Sequence, residues 1–295
     1  MNRKRLDFLI ESDNEFFKAI DLPFPYNRPK SQWNKLTDDD KSVNYADVHE
    51  PYSHEDLMDQ SLINKDALVA RVIGDLSDWY SKSRFVKKRQ VDFKMELRET
   101  FKRIEWLSTH YKQVEIMVGN HDNRPEKLIR GLLSATGSVD MALLTEQNLL
   151  ARLISFFDNV KLVGTKIETY DKRTIDVTHI YQVGDIIFTH AEMSKTQATA
   201  LLERISNFLH LWKKHFNLKP YSVIMQAHNH QSLKYHKGDE WWFAIPCAMR
   251  SDSIGAEYIY DTRMIGSPPT LGYTIVYQHK GVTDINRTNQ FIYEQ

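Results

Sequence analysis

Five apolar runs in this chain each end in a loop carrying carboxylate, amide or imidazole groups, and that recurrence limits the fold more than any other feature. Asp47 and His49 follow SVNYA; Asp75 and Asp78 follow RVIG; Asn120, His121 and Asp122 follow VEIMVG; His190 follows DIIFT; His228 and His230 follow VIMQA. Short runs rich in β-branched residues and bounded by polar loops read as buried strands. Loops at the carboxyl ends of strands in an open α/β sheet converge on one crevice, so all five are expected to form a single site.

The intervening segments carry helical signals. SHEDLMDQSLINKDALVA reads as a helix, and VDFKMELRETFKRIEWLSTHY has the helical apolar spacing at Phe93, Leu97, Phe101, Ile104 and Leu107. EKLIRGLLSA through TEQNLLARLISFF is a helical region, and TQATALLERISNFLHLWKKHF another helix. SVNYADVHE reads as a weak strand, IYQVGDIIFTHAE as one strand ending in a histidine, and YSVIMQAHNHQ as a further strand. EWWFAIPCAM, AEYIYD and GYTIVYQHKG complete the set as strands joined by turns. Strands alternating with helices and followed by more strands predict an α/β sandwich of mixed sheets in one domain, residues 42–295, with helical insertions that include the stretch around 131–180. Residues 1–41 differ: a short helix over LDFLIESDNEFFKAI, a Pro-rich extended piece and the acidic DDD at 38–40 read as an N-terminal arm packed on that domain.

With 41% hydrophobic residues in 295, the chain can bury one large core or two modest ones. Lysine plus arginine (39) equals aspartate plus glutamate (39), so no net field draws the whole molecule onto nucleic acid or a membrane, and any polyanion binding must be local. The single cysteine, Cys247, excludes an internal disulfide framework and a cysteine-based zinc site. No apolar window reaches membrane-spanning length and the N-terminus has no signal-like apolar core, so a cytoplasmic location and no membrane partner are expected.

Imidazole and carboxylate donors with one amide oxygen and no thiolate suit borderline to hard divalent ions such as manganese, iron or zinc. The donor set is too large for one tetrahedral ion and sufficient for two ions that share a carboxylate.

In their order, DVH, GDLSD, GNHD, a lone TH after a strand and HNH resemble the calcineurin-like metallophosphoesterase superfamily, whose blocks are D-x-H, G-D-x-x-D, G-N-H-D/E, H and G-H-x-H. The resemblance spans residues 43–231. At finer grain, DVHEPYSHEDLM, GDLSDWYSKSRF and GNHDNRPEKLI look like a phage and bacterial branch of that superfamily. The resemblance implies a calcineurin-like sandwich of two mixed β-sheets flanked by helices. It implies that Asp47, His49 and His230 hold one metal, that Asn120, His190 and His228 hold the other, and that Asp75 bridges both. Manganese is the ion named first, with iron, zinc or nickel as alternatives. His121 would face the phosphate, stabilising the scissile group or protonating the leaving oxygen, with Asp122 orienting it by hydrogen bond. Arg124 would add positive charge at the non-bridging oxygens. Two cations lower the pKa of a shared water, so that a bridging hydroxide can attack phosphorus in line. One departure stands out: Ala227 takes the place of the usual glycine before HNH.

The expected function is therefore a metal-dependent phosphoesterase, and more finely a phosphodiesterase acting on nucleotides or nucleic acid. A phosphomonoesterase or protein phosphatase is the alternative, and a non-catalytic binding module a third reading. The run KSRFVKKRQ, residues 82–90, is either a solvated segment or an electropositive shoulder that guides a polyanion, and Trp241 and Trp242 either stack a base or belong to the core. Asp78 reads as a residue that backs the ligands or fixes the loop, rather than as a ligand itself. Histidines 110, 179, 210, 215, 236 and 279 read as structural or surface groups.

Overall fold

Two mixed β-sheets stack face to face, with helices on both outer faces. The computed structural model describes residues 39–83, 90–128, 149–168, 177–191, 198–250 and 269–293, together with position 18. The chain begins with β1 (Asp39–Tyr45), α1 (Glu55–Ser61), β2 (Val69–Ile73) and α2 (Phe93–His110). It continues with β3 (Gln113–Met117), α3 (Leu149–Ile154), β4 (Val160–Val163), β5 (Thr165–Glu168), β6 (Val177–Val183) and β7 (Ile186–Ala191). After α4 (Ala198–Trp212) come β8 (Val223–Gln226), β9 (Leu233–Lys237), β10 (Glu240–Ala244), β11 (Gly272–His279), β12 (Val282–Thr283) and β13 (Asn289–Ile292).

The first sheet runs β12-β11-β1-β2-β3-β4, with β13 also paired to β11; β1 to β4 are parallel and β11 is antiparallel to β1. The second runs β5-β6-β7-β8-β10-β9, parallel across β7, β8 and β10 and antiparallel at both ends. Strands β2, β3, β7 and β8 are buried along their whole length, which is why they are predominantly apolar, with buried polar exceptions such as Arg71 and Glu115, which pair with each other. Ile73, Met117, Phe188, Met225 and Phe243 fill the space between the sheets. Val72, Ile104, Leu107 and Leu153 pack the first sheet against its helices, while Leu202, Ile205, Leu209 and Ile224 do so for the second sheet and α4.

Several elements differ from the sequence reading. IYQVGDIIFTHAE is a hairpin, not one strand: β6 and β7 turn at Gly184 and Asp185, where Gly184 takes a φ of 57° that suits a two-residue turn. The expected helix over residues 53–70 stops at Ser61, where Asn64 donates its side-chain amide to the Ser61 carbonyl and Val69 and Ala70 enter β2. β1 starts inside the acidic stretch, because Asp40 accepts from the buried Arg71 at 2.8 Å while Arg71 also pairs with Glu115 at 2.7 Å. The arm up to residue 38 (position 18 apart), most of the KSRFVKKRQ run, the helical region from 129 to 148 and the AEYIYD strand lie outside the described residues. Among the described residues, no helix is long and apolar enough to cross a membrane.

Candidate metal centre

Parallel strands aim their carboxyl ends in one direction, and here both sheets aim them at the same place. β1 leads to Asp47 and His49, β2 to Asp75 and Asp78, β3 to Asn120 and His121; from the second sheet, β7 contains His190 and β8 leads to His228 and His230. The backbone is left-handed at Asp47 (φ 50°), His49 (53°), Asp75 (52°), His228 (85°) and His230 (54°). Such angles are uncommon outside glycine and cost on the order of 1–3 kcal/mol each, so they persist only where the surroundings over-determine them. Their concentration at these positions marks the spot where local comfort gives way to placement of donors. Gly74 and Gly119 serve the same end: a Cβ on Gly74 would collide with the His190 ring, and one on Gly119 with the Asp75 carboxylate.

The donor atoms converge. His190 Nδ1 lies 3.0 Å from the Ile73 carbonyl, to which it donates, and its Nε2 lies 3.2 Å from Asp75 Oδ2 and 3.1 Å from Asn120 Oδ1. Fixing one ring nitrogen in this way leaves the other lone pair for a ligand role. His230 Nε2 is 3.5 Å from Asp47 Oδ1, and His49 Nε2 is 3.9 Å from that oxygen and 3.8 Å from Asp75 Oδ2. Asp47 Oδ2 accepts from the His228 backbone N–H at 2.9 Å, and the His190 and His228 rings are 5.2 Å apart. Asp47, Asp75, His190 and His228 offer atoms within 4.8 Å of one another; so do Asp47, His49 and His230. Asp75 reaches donors of both groups, and Asp47 belongs to both.

Among the described residues, two of these atoms, Asp47 Oδ1 and His49 Nε2, are buried and make no hydrogen bond, though each lies within 3.9 Å of an ionisable group of the opposite kind. A buried polar atom without a hydrogen bond is costly, and a carboxylate oxygen and imidazole nitrogens that face one another at 3.5–3.9 Å form an environment suited to a cation. The residues therefore fit a site for two divalent ions with nitrogen and oxygen donors. Without ions, protons fill part of that need. Burial pushes the Asp47 carboxyl up, but the His230 charge outweighs it and holds it at about 2. Burial lowers His190, yet Asp75 raises it to about 9; His230 is raised well above the usual histidine range by Asp47 against the same burial. His228 goes the other way, to about 3, through burial and the neighbouring His190 charge.

His121, Asp122 and Arg124 sit beside this cluster, but not in the expected arrangement. His121 Nδ1 is 2.5 Å from Asp78 Oδ1, and the same oxygen is 3.0 Å from His49 Nδ1. Asp78 thus takes the orienting part expected of Asp122. The Asp122 carboxylate instead accepts from the backbone N–H of Ser77 at 2.9 Å and of Gly119 at 2.8 Å, tying the GDLSD and GNHD loops together. Burial and the Asp75 charge push its carboxyl up to about 7. Arg124 Nη2 lies 3.0 Å from His121 Nε2, and Nη1 donates to the Asp78 carbonyl at 2.7 Å. Burial, then Arg124, lowers His121 to about 4, so the ring is neutral, donating through Nδ1 and accepting through Nε2.

Helix α2 braces these loops from behind. Arg103 pairs with Glu50 and donates to Ser53 Oγ at 2.8 Å, while Thr100 Oγ1 donates to Ser77 Oγ at 3.1 Å. No sequence signal marks such partners, because they are more than twenty residues apart. The tryptophan pair belongs to the core rather than to a stacking platform: Trp242 is buried against α4 with Nε1 donating to Glu240 at 2.9 Å, and Trp241 stacks on His236 with ring centroids 4.5 Å apart.

No family model matches the chain, and no curated protein matches it. Solved structures similar to it include a hypothetical protein from Pyrococcus horikoshii, 10% identical, covering 86% of this chain and 87% of that one at a TM-score of 0.42. An archaeal phosphodiesterase is 11% identical, with 86% and 99% covered and a TM-score of 0.39. Vacuolar protein sorting 29 of Cryptosporidium parvum is also 11% identical, with 87% and 99% covered and a TM-score of 0.39. Likeness this remote carries no function across. The α/β sandwich of two mixed sheets flanked by helices rests on this chain's own topology.

Proposed function

We propose that the protein is a binuclear metal-dependent phosphoesterase and, more finely, a phosphodiesterase acting on nucleotides or nucleic acid. The observation that carries this reading is the pair of buried atoms Asp47 Oδ1 and His49 Nε2, which make no hydrogen bond among the described residues and face His230 and Asp75 beside the His121–Arg124 pair. Asp47, His49 and His230 would hold one ion, Asn120, His190 and His228 the other, with Asp75 between them. When bound, two divalent ions supply a nucleophile at neutral pH and charge neutralisation at phosphorus.

The chain's own part is orientation and charge. The Ile73 carbonyl and Asp78 lock the tautomers of His190 and His49 so that both Nε2 atoms face inward. Arg124 Nη2, held on His121 Nε2, can exchange that contact for a non-bridging phosphoryl oxygen. An anion arriving there would relieve the Arg124 repulsion and raise His121, the condition under which its Nε2 can carry a proton to the leaving oxygen.

The diester preference rests on the resemblance of the GNHDNR loop and on the basic run at 82–90. Manganese as the native ion, and a cytoplasmic setting in a phage-infected host, extend the same resemblance. The test is hydrolysis of bis(p-nitrophenyl) phosphate, p-nitrophenyl phosphate, cyclic nucleotides and single- and double-stranded nucleic acid, with manganese and with chelator. Metal-dependent cleavage of diesters is the expected result. A strong preference for the monoester would replace this reading by a phosphomonoesterase or protein phosphatase, and bound metal without any cleavage would favour the binding module.

A further inference from the structure

Three polar side chains share the buried face of α2 with Leu97, Phe101, Ile104 and Leu107. Glu96, Thr100 and Arg103 are spaced four and three residues apart, so they form one stripe along the helix, and all three are buried. Buried polar groups cost stability unless they find partners, and the partners here lie in the segments that follow β1 and β2. Glu96 accepts from Ser81 Oγ at 2.5 Å, Thr100 Oγ1 donates to Ser77 Oγ at 3.1 Å, and Arg103 reaches the loop that carries Asp47 and His49.

Arg103 grips that loop at three points. Its Nε pairs with Glu50, and Nη2 donates to Ser53 Oγ at 2.8 Å and to Glu55 Oε1 at 2.7 Å. Ser53 Oγ donates in turn to Glu50 Oε1 at 2.7 Å. Glu50 and Arg103 are both buried whereas Glu55 is exposed, so the Arg103–Glu50 pair is the one shielded from solvent. The Glu50 backbone bridges two loops: its N–H donates to the Leu76 carbonyl at 2.8 Å, and its carbonyl accepts from Asp78 N–H at 3.1 Å. Asp78 Oδ1 then stands 3.0 Å from His49 Nδ1 and 2.5 Å from His121 Nδ1. A continuous path therefore runs from Arg103 through Glu50 and Asp78 to two imidazoles. The residue before Glu50, His49, has a φ of 53°, a conformation that persists only where its surroundings hold it.

We propose that Arg103 is a positioning residue for the metal centre: by holding Glu50 it fixes the backbone between His49 and Asp78, and through Asp78 it sets the directions of the His49 and His121 rings. The inference rests on the metal-centre reading above and deepens it, extending the centre to a helix that supplies no donor.

The experiment titrates the full chain with Co²⁺ as a probe, followed by calorimetry and by the visible absorption of the bound ion, with thermal melts in chelator alongside. Removing one partner of a buried ion pair strands the other charge, so the variant to compare is Glu50→Gln combined with Arg103→Met, in which neither charge remains. The wild type is expected to take up two ions. The double variant is expected to melt in chelator close to the wild type, yet to bind one of the two ions about ten-fold more weakly and with altered absorption. If it does not fold, Glu50→Gln alone, which keeps the shape and removes the charge that Arg103 grips, takes its place with the same expectation. The decisive comparison repeats the change in Asp78→Asn. Because Arg103 acts through Asp78, the further loss there is expected to be less than about two-fold. Wild-type affinity and spectrum in the Glu50 and Arg103 variants would overturn the inference. So would a full ten-fold further loss on the Asp78→Asn background, which would reduce the pair to general support of the fold. Failure of the wild type to bind any ion would instead overturn the metal-centre reading itself.

Discussion

Asp78 stands 2.5 Å from the Nδ1 of His121, and it uses for this the oxygen that also lies 3.0 Å from His49. One carboxylate therefore fixes two imidazoles at once, His49 within the donor cluster and His121 beside it. Asp78→Asn removes the charge that holds both rings and is expected to lower kcat/KM about ten- to a hundred-fold. Steady-state kinetics with metal content measured in parallel checks this; unchanged kinetics would remove Asp78 from the mechanism.

Asp75 and His121 should separate metal binding from turnover. Asp75→Asn is expected to abolish activity and weaken both ions, since Oδ2 faces His190 on one side and His49 on the other. His121→Gln is expected to retain both ions and lose roughly two to four decades in rate. Normal activity in either variant, measured after metal loading, would break the assignment.

The metal-free histidines set a pH dependence. His190, raised to about 9 by Asp75 against burial, and His230, raised well above the usual range, are protonated at neutral pH, whereas a ligating ring must be neutral. Metal affinity should rise with pH up to about 9, and uptake near pH 7 should release about two protons, readable by calorimetry in buffers of different ionisation heat. In chelator the sign reverses for stability. A histidine raised in the folded state stabilises fully below its unfolded value and loses that contribution as pH rises through the folded one, so melting temperature should fall between about pH 6.5 and 9. Pairing that is flat with pH in both experiments would contradict the charge arrangement.

Gly119→Ala is expected to be disproportionate for one methyl group. The new Cβ has no room beside the Asp75 carboxylate and backbone, so loss of about 1–3 kcal/mol in stability should accompany loss of bound metal. Denaturant melts and metal analysis together test it, and a variant with intact metal content would mean that the two loops can part without cost.

Much of this was legible in the sequence because burial on both faces turns β2, β3, β7 and β8 into predominantly apolar runs, and because the donors lie at the end of each strand or in the loop directly after it. Periodicity cannot see inside such a run, so the Gly184–Asp185 turn leaves no periodic mark within IYQVGDIIFTH. That Asp78 rather than Asp122 meets His121 has a related cause. Both follow strands at similar spacing, and which of them meets His121 depends on how two loops cross, a matter of tertiary contact between residues 43 apart. Arg71, a charge in the middle of a buried strand, found its compensation in Asp40 and Glu115 on the two flanking strands, again beyond the reach of local pattern.

Asp47, His49, Asp75 and Asn120 hang from one sheet, and His190, His228 and His230 from the other. Ions held there would act as rivets through the sandwich, each adding about 2.7 kcal/mol to its cohesion at a free concentration one hundred times its Kd. Neither sheet carries a usable half of the centre. Parting the two sheets scatters the donors, so a chain that has begun to come apart would already have lost the site, and a cell starved of the ion would hold a looser protein.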